Sequence, residues 1–276
     1  MISEIEYLVK ERQVNFLQIN DDNFFSGNKV HKIWIAEFCE KMRQKNIKVD
    51  FFIYARANDI IEQADMLQEL KEVGLKQVFV GFESFNSRQL KFYNKGITVE
   101  QNKQAFKILA HNKVPIIMGF MVLEPYVTID ELIENIRVLE ELKYYNYICD
   151  TNLPISLYPK VIPYNGTPLY EFYEKSNLLN RNDFVNTDVN EWYNYLLRWI
   201  ERLKKCYNEI NGIGLVPTSS KRKILVEFHK LDVEYWARSL DMVKNGKNGK
   251  NDNCCGLIEE QFEKVKKIML GNFENF

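Results

Sequence analysis

Through its first half the chain alternates short apolar runs, each ending in a charged or hydroxyl residue, with longer stretches whose apolar positions recur every three or four residues. The first run predicts a strand over Val14–Asn20 that delivers Asp21 and Asp22. The second, Val49–Ala55, stops at Arg56; the third, from Gln77, ends in Glu83 and Ser84; the fourth, Ile116–Leu123, stops at Glu124 and Pro125. A last strand is predicted near Ile155–Ile162. Helical spacing fills the intervals. Ser3–Arg12 opens on a capping-box pattern, Ser3 with Glu6. Val30–Lys45 sets Val30, Ile33, Trp34, Phe38 and Met42 on an apolar face, and Ile61–Glu72 stops at Gly74. After a loop to Gly96, one helix opens at Thr98 with Gln101. Another opens at Thr128 with Glu131, its face made of Ile129, Leu132, Ile133, Ile136 and Leu139.

Strand starts roughly 30–40 residues apart suit strand, crossover helix, strand, and hence an α/β fold of repeated β/α units. Apolar strand bodies with polar ends suit a parallel (β/α) barrel with its site on the carboxyl face; a doubly wound open sheet satisfies the same periodicity. Beyond Gly166 the pattern turns to aromatic-rich helix. Val189, Trp192, Tyr193, Leu196, Trp199, Ile200 and Leu203 form one stripe, and Leu225, Phe228, Leu231, Trp236 and Leu240 another. The chain thus divides into a barrel core over residues 1–167 and a helical extension over 168–276, with a mobile linker expected at 245–256 before a short final helix.

Charge and composition narrow the function classes. With 37 basic against 38 acidic side chains the net charge is -1, so the footprint of a nucleic-acid binder is missing and a small-molecule or protein partner is expected. No signal-peptide succession and no bilayer-length apolar run occurs, which points to the cytoplasm. The five cysteines, Cys39, Cys149, Cys206, Cys254 and Cys255, are odd in number and dispersed, so neither a disulfide framework nor a local metal site is expected. His31, His111 and His229 share no metal-ligand spacing.

The strand ends carry the candidate chemistry. Asp21 and Asp22 can position a cationic amino group, hold a metal with His31 or act as a general base, and can equally cap the following helix. Glu83, directly after an apolar strand, needs a partner if buried; an ion pair with Arg56 is the purely structural alternative to ligand binding.

Taken together and in order, NFLQINDDNFF, Arg56 after the second strand, LKQVFVGFES, IIMGFMVL and IPYNGTPLYE resemble the radical S-adenosylmethionine (radical SAM) superfamily, and within it the branch in which a cobalamin-binding domain often precedes the barrel. The resemblance covers about Ser3–Leu179 and implies a partial parallel barrel. In that family a loop after the first strand carries CxxxCxxC. Its three thiolates hold a 4Fe-4S cluster that binds SAM and reduces it to methionine and a 5'-deoxyadenosyl radical. Here that motif is absent, and Met1 stands where the next helix would begin, so the barrel is expected to be truncated at its amino terminus and to form no cluster by itself. The strand Val14–Asn20 would then have an unpaired edge.

The resemblance further implies that Asp21 and Asp22 lie near the SAM amino group, Arg56 near its carboxylate, Glu83 and Ser84 near its methionine or ribose, and Gly119 along the adenine pocket. Where the family has a Gly-Pro-Gly-Glu-Thr-like turn, this chain has Leu123-Glu124-Pro125-Tyr126-Val127-Thr128. The implied function is the downstream part of a radical SAM enzyme core. Its cofactors would be SAM, a 4Fe-4S cluster held by a separate chain or segment, and cobalamin as a further candidate, acting on a small molecule. The alternatives are a catalytically silent SAM-binding or interaction module, and an unrelated barrel enzyme using Asp22 and Glu83 as acid and base.

Overall fold

The computed structural model describes residues 1–21, 24–149, 154–157, 160–181, 183–212, 218–246 and 253–273. Its first helix, α1 (Ile2–Lys10), leads to strand β1 (Phe16–Gln18), helix α2 (Lys29–Gln44) and strand β2 (Asp50–Ala55). Two short helices, α3 (Ala57–Glu62) and α4 (Met66–Glu72), precede strand β3 (Leu75–Glu83). Helices α5 (Ser87–Phe92) and α6 (Val99–His111) then lead to β4 (Ile116–Phe120) and α7 (Ile129–Leu142). The four strands lie in the order β1-β2-β3-β4, and β1 to β3 pair in parallel with Phe16 opposite Asp50 and Ile53 opposite Val78. This is the parallel β/α arrangement read from the alternation, with β1 at the sheet edge. Four further helices follow: α8 (Pro168–Lys175), α9 (Thr187–Gly212), α10 (Thr218–Lys244) and α11 (Asn253–Phe273).

Two compact units result. The first comprises Met1–Glu83, Lys95–Gly119 and Tyr147–Asn152; the second comprises Ser84–Asn94, Phe120–Asn146 and Leu153–Phe276. In the first, alternate residues of β2 and β3, Phe51, Ile53, Val78, Val80 and Phe82, are buried together with Phe38 and Met42 of α2, Leu67 of α4 and Phe106 of α6. Each fully buried Phe adds about 2–3 kcal/mol through apolar area removed from water. In the second, the predicted stripes do meet: Trp192 of α9 packs edge-on against Trp236 of α10 at 4.6 Å, and Trp199 stacks on Tyr235 at 4.8 Å. Between them Ser156 and Asp232 form a buried polar knot. Asp232 accepts from the Ser156 amide (2.9 Å), from Trp199 Nε1 (2.8 Å) and from the Ser156 hydroxyl, which itself accepts from Trp236 Nε1 (2.7 Å).

That knot explains why no strand forms at 155–157. The Ser156 N–H is spent on Asp232, and the chain makes a 3-10 turn there; the remainder of the expected strand includes residues 158 and 159, outside the described residues. The parallel bridge beside β4 is made instead by Ile148, opposite Ile116. Other expectations also shift. The helix read over Ile61–Glu72 is two, because the buried positions Ile60, Leu67 and Leu70 keep one helical phase through a break at 63–65 that periodicity does not register. Ser3 is not an N-cap, since α1 begins at Ile2; Glu6 instead pairs with Lys10 (2.8 Å) and Lys45 (2.6 Å), whose ammonium groups pull its carboxyl down to about 2. Val30 and Ile33 are 78% and 63% exposed, the buried face of α2 being Ile35, Phe38, Cys39 and Met42. The loop expected before Gly96 contains α5, which Asn86 caps by accepting from the Gln89 N–H. The stretch expected as a mobile linker is helical from Asn253, and residues 247–252 are outside the described ones.

The capping boxes at Thr98/Gln101 and Thr128/Glu131 form in full. Replacing Thr98 by alanine is expected to cost about 1 kcal/mol, read as a lower urea midpoint; an unchanged midpoint would show that the cap contributes nothing.

Candidate functional site

Because β1, β2 and β3 are parallel, all three deliver the chain at the same edge of the sheet. There the first unit carries Asp21 in the turn after β1, Arg56 directly after β2 as the N-cap residue of α3, and Glu83 as the last residue of β3. Asp22 lies outside the described residues.

Glu83 is the most constrained of these. Its φ of 62° is in the left-handed region, which costs a non-glycine residue about 1 kcal/mol. That carboxylate turns back over Gly81, where a Cβ would stand 2.6 Å from Oε1, and meets Lys95 Nζ at 2.6 Å. The partner of Glu83 is therefore Lys95 and not Arg56, as the structural alternative supposed.

Residues Phe79, Gly81 and Glu83 share the sheet face opposite Val78, Val80 and Phe82. On that face aromatic side chains, Phe16 exposed and the others half-buried, line up across three strands: Phe16 with Phe52 (6.2 Å), Phe52 with Tyr54 (5.5 Å) and Tyr54 with Phe79 (5.2 Å). Gln18 Nε2 donates to the Tyr54 hydroxyl at 2.7 Å. Gly119 of β4 makes this packing possible, since a Cβ there would lie 2.9 Å from Phe79 Cζ and 3.2 Å from the Gly81 Cα. The face can therefore take a flat heteroaromatic group against its rings, with a carboxylate for a cationic group and Arg56 for an anionic one at the strand ends. Those are the functional groups of SAM, and these residues suit it. Sequence reasoning missed Lys95 and the aromatic row; the Asn94-Lys95-Gly96 turn and the alternation Phe52, Tyr54, Phe79 were the available signals.

Ser84 belongs to the second unit and is fully buried. Its hydroxyl lies 2.7 Å from Gln89 Oε1 and 3.0 Å from Asn135 Oδ1 and accepts from the Asn86 amide at 2.9 Å. Asn135 Oδ1 also accepts from the Phe85 amide (2.6 Å), and Gln89 Nε2 donates to the Val122 carbonyl (2.8 Å), so the serine braces the turn after β3. In the same unit the 123–128 turn is organised by Glu124, fully buried, which accepts from Arg88 and from the Tyr126 amide at 2.8 Å. Arg88 also grips Glu131 at 2.5 Å; despite burial, which raises it, this guanidinium and the Thr128 backbone hold the Glu131 carboxyl below its ordinary value.

A 4Fe-4S cluster does not fit what is described. Among the described residues no group of three or more His, Cys, Asp or Glu is placed to hold a metal ion, and Cys39 and Cys149 are buried free thiols. Burial pushes Cys39 up to about 11, the reverse of what a thiolate ligand requires. The side chains of Cys206, Cys254 and Cys255 are outside the described part. No described helix is long and apolar enough to cross a membrane.

This combination, a parallel partial barrel with acidic and basic strand ends, defines a class. The sequence pattern of the radical SAM superfamily matches residues 2–139, half of the chain, and the protein belongs to that superfamily. Its relatives include the anaerobic magnesium-protoporphyrin IX monomethyl ester cyclase of Rubrivivax gelatinosus, 32% identical over 114 residues, which are 41% of this chain and 20% of that enzyme. The enzyme of the same name from Synechocystis sp. is 28% identical over 170 residues, 60% of this chain and 31% of that one. Among solved structures, the apo form of the cobalamin-dependent S-adenosylmethionine radical enzyme OxsB has the same fold, with a TM-score of 0.75 over 99% of this chain and 50% of that chain at 14% identity. The chain thus spans less than a third of these curated relatives.

Proposed function

We propose that this chain supplies the downstream, SAM-facing part of a radical SAM enzyme core. SAM would be cleaved reductively to a 5'-deoxyadenosyl radical or used in methyl transfer, with the cluster-binding cysteines contributed by a further segment or a separate chain. The observation that carries this reading is the family match over residues 2–139, falling on the sheet whose parallel strands end in Asp21, Arg56 and Glu83. Asp21 and Asp22 take the amino group of SAM and Arg56 its carboxylate. Glu83, oriented by Lys95, accepts from the amino group or a ribose hydroxyl, while Ser84 fixes the turn that follows. Tyr54 and Phe79, seated by Gly119, face the adenine. The cobalamin-dependent enzyme of the same fold supports cobalamin as a second cofactor, the substrate is a small molecule, and the cytoplasm, where thiols stay reduced, is the compartment.

A second reading, SAM binding without catalysis, is favoured by the lack of a cluster ligand set among the described residues. SAM binding tests what the two share. In equilibrium dialysis with labelled SAM the chain is expected to bind, and Glu83→Gln to weaken binding about tenfold by removing a charged acceptor. No binding by the wild-type chain refutes both readings; equal binding by the variant removes Glu83 from the site. Adding a polypeptide that carries CxxxCxxC, under reducing anaerobic conditions, separates them: 5'-deoxyadenosine formation is expected on the first reading and none on the second.

A further inference from the structure

The second unit contains a cavity of about 400 Å³ that the SAM-facing strand ends do not use. Its frame is fixed by backbone bonds, the Val161 amide to the Leu123 carbonyl (3.0 Å) and the Val185 amide to the Pro125 carbonyl (2.8 Å). Leu123, Val161, Leu178 and Leu179 give it an aliphatic wall, and Phe184 and Tyr193 an aromatic one. The charged side chains along it are engaged already. The Lys160 amine stands 4.1 Å from the Phe184 ring centre and 4.2 Å from that of Tyr193 and has a further partner, while Arg181 and Asp183 form a two-point ion pair at 2.8 and 3.2 Å. What the wall offers an incoming molecule is therefore mainly apolar surface.

One buried polar group points to a ligand. Tyr173 lines the cavity, is 4% exposed, and its hydroxyl has no hydrogen-bond partner among the described residues. A buried hydroxyl without a partner is unfavourable, and an acceptor brought to it recovers that cost. Burial and the nearby Glu124 charge raise its pKa, so it stays protonated and can donate. The same carboxylate repels an anion placed beside the hydroxyl, and a cationic group such as an ammonium has no lone pair to accept with. A ketone or ester carbonyl meets both conditions: it is neutral, it accepts, and it brings no donor that would itself need a partner among apolar side chains. An enclosure of this size, walled by hydrocarbon and holding one unanswered donor, has the make-up of a small-molecule pocket.

We propose that this cavity is a binding site for a small, neutral, mostly hydrocarbon ketone or ester, its apolar body against the Leu123, Val161, Leu178 and Phe184 side chains and its carbonyl oxygen accepting from the Tyr173 hydroxyl. The site stands independently of SAM binding. Methyl-labelled NMR of the full chain tests it with three probes of one shape: 4-phenyl-2-butanone, butylbenzene, which lacks the carbonyl oxygen, and 3-phenylpropanoate, which carries a charge in its place. The ketone is expected to shift the Leu123, Val161, Leu178 and Leu179 methyl signals saturably, and the carboxylate to bind about tenfold more weakly than the ketone. Tyr173→Phe is expected to weaken the ketone about tenfold, because its carbonyl is then buried without a donor, and to leave the affinity for butylbenzene unchanged. Without a probe the Tyr173→Phe chain is expected to melt no lower than wild type, because only an unanswered hydroxyl is removed. Unmoved methyl signals with the ketone, a carboxylate that binds as tightly as the ketone, a Tyr173→Phe variant that keeps wild-type affinity for the ketone or weakens both neutral probes alike, or a lower melting temperature for that variant overturns the proposal.

Discussion

Asp232→Ala is expected to lower stability by about 4 kcal/mol at neutral pH, through loss of the acceptor for three buried donors and the space left behind. The donors are the Ser156 amide, the Ser156 hydroxyl and Trp199 Nε1, none of which can reach water from the core between α9 and α10. A second signature is pH. Burial pushes the Asp232 carboxyl up to about 6, against the pull of the hydrogen bonds from Ser156 and Trp199. The folded chain therefore holds this proton more tightly than the unfolded one. The resulting stabilisation is fully present below about pH 4 and is lost as pH rises through about 6, a change of about 3 kcal/mol. Asp232→Asn cannot titrate. The stability of wild type relative to that variant, measured by urea denaturation at a series of pH values, is expected to fall across this window; a flat difference would refute titration of a buried carboxyl there.

Arg88→Met is expected to cost about 3 kcal/mol. Its guanidinium is partly exposed, and by itself such a pair would count for little, but Glu124 opposite is wholly buried. Removing the arginine leaves that carboxylate, in the turn after β4, with the Tyr126 amide and no countercharge among the described residues. Adding Glu124→Gln to Arg88→Met is expected to recover about 2 kcal/mol, since the stranded charge goes with it. Urea midpoints for the wild type, both single variants and the double variant give the coupling. A single Arg88→Met variant within about 0.5 kcal/mol of wild type would mean that water reaches Glu124 after all.

What could be read in advance was what is local. Thr98 with Gln101 and Thr128 with Glu131 satisfy one another within a single turn, so four letters suffice to find them. The strand ends at Arg56 and Glu83 were legible because a charge cannot continue a buried apolar strand without a partner. The bond between Ser156 and Asp232 spans 76 residues, and no spacing rule reaches that far. Periodicity also overstated burial at Val30 and Ile33, the first turn of α2, because it knows the phase of a helix and not where its neighbour stops. Of the candidate site, Asp21, Arg56 and Glu83 each follow or end a parallel strand and so stand at the same end of the sheet. Ser84 spends its hydroxyl on the Gln89 and Asn135 network, and Gly119 is spoken for by the Phe79 ring.

The interleaving of the two units has a consequence for how the chain is made on the ribosome. Synthesis runs from the amino terminus, and domains built of contiguous sequence fold as they emerge. Here the first unit closes with Tyr147–Asn152, but by then Ser84–Asn94 and Phe120–Asn146 have also emerged, and both belong to the second unit. Helix α7 packs against α10, which begins only at Thr218. For all that interval a nascent chain carries an apolar helix whose main helical packing partner is not yet synthesised, a natural target for chaperones that bind exposed apolar segments.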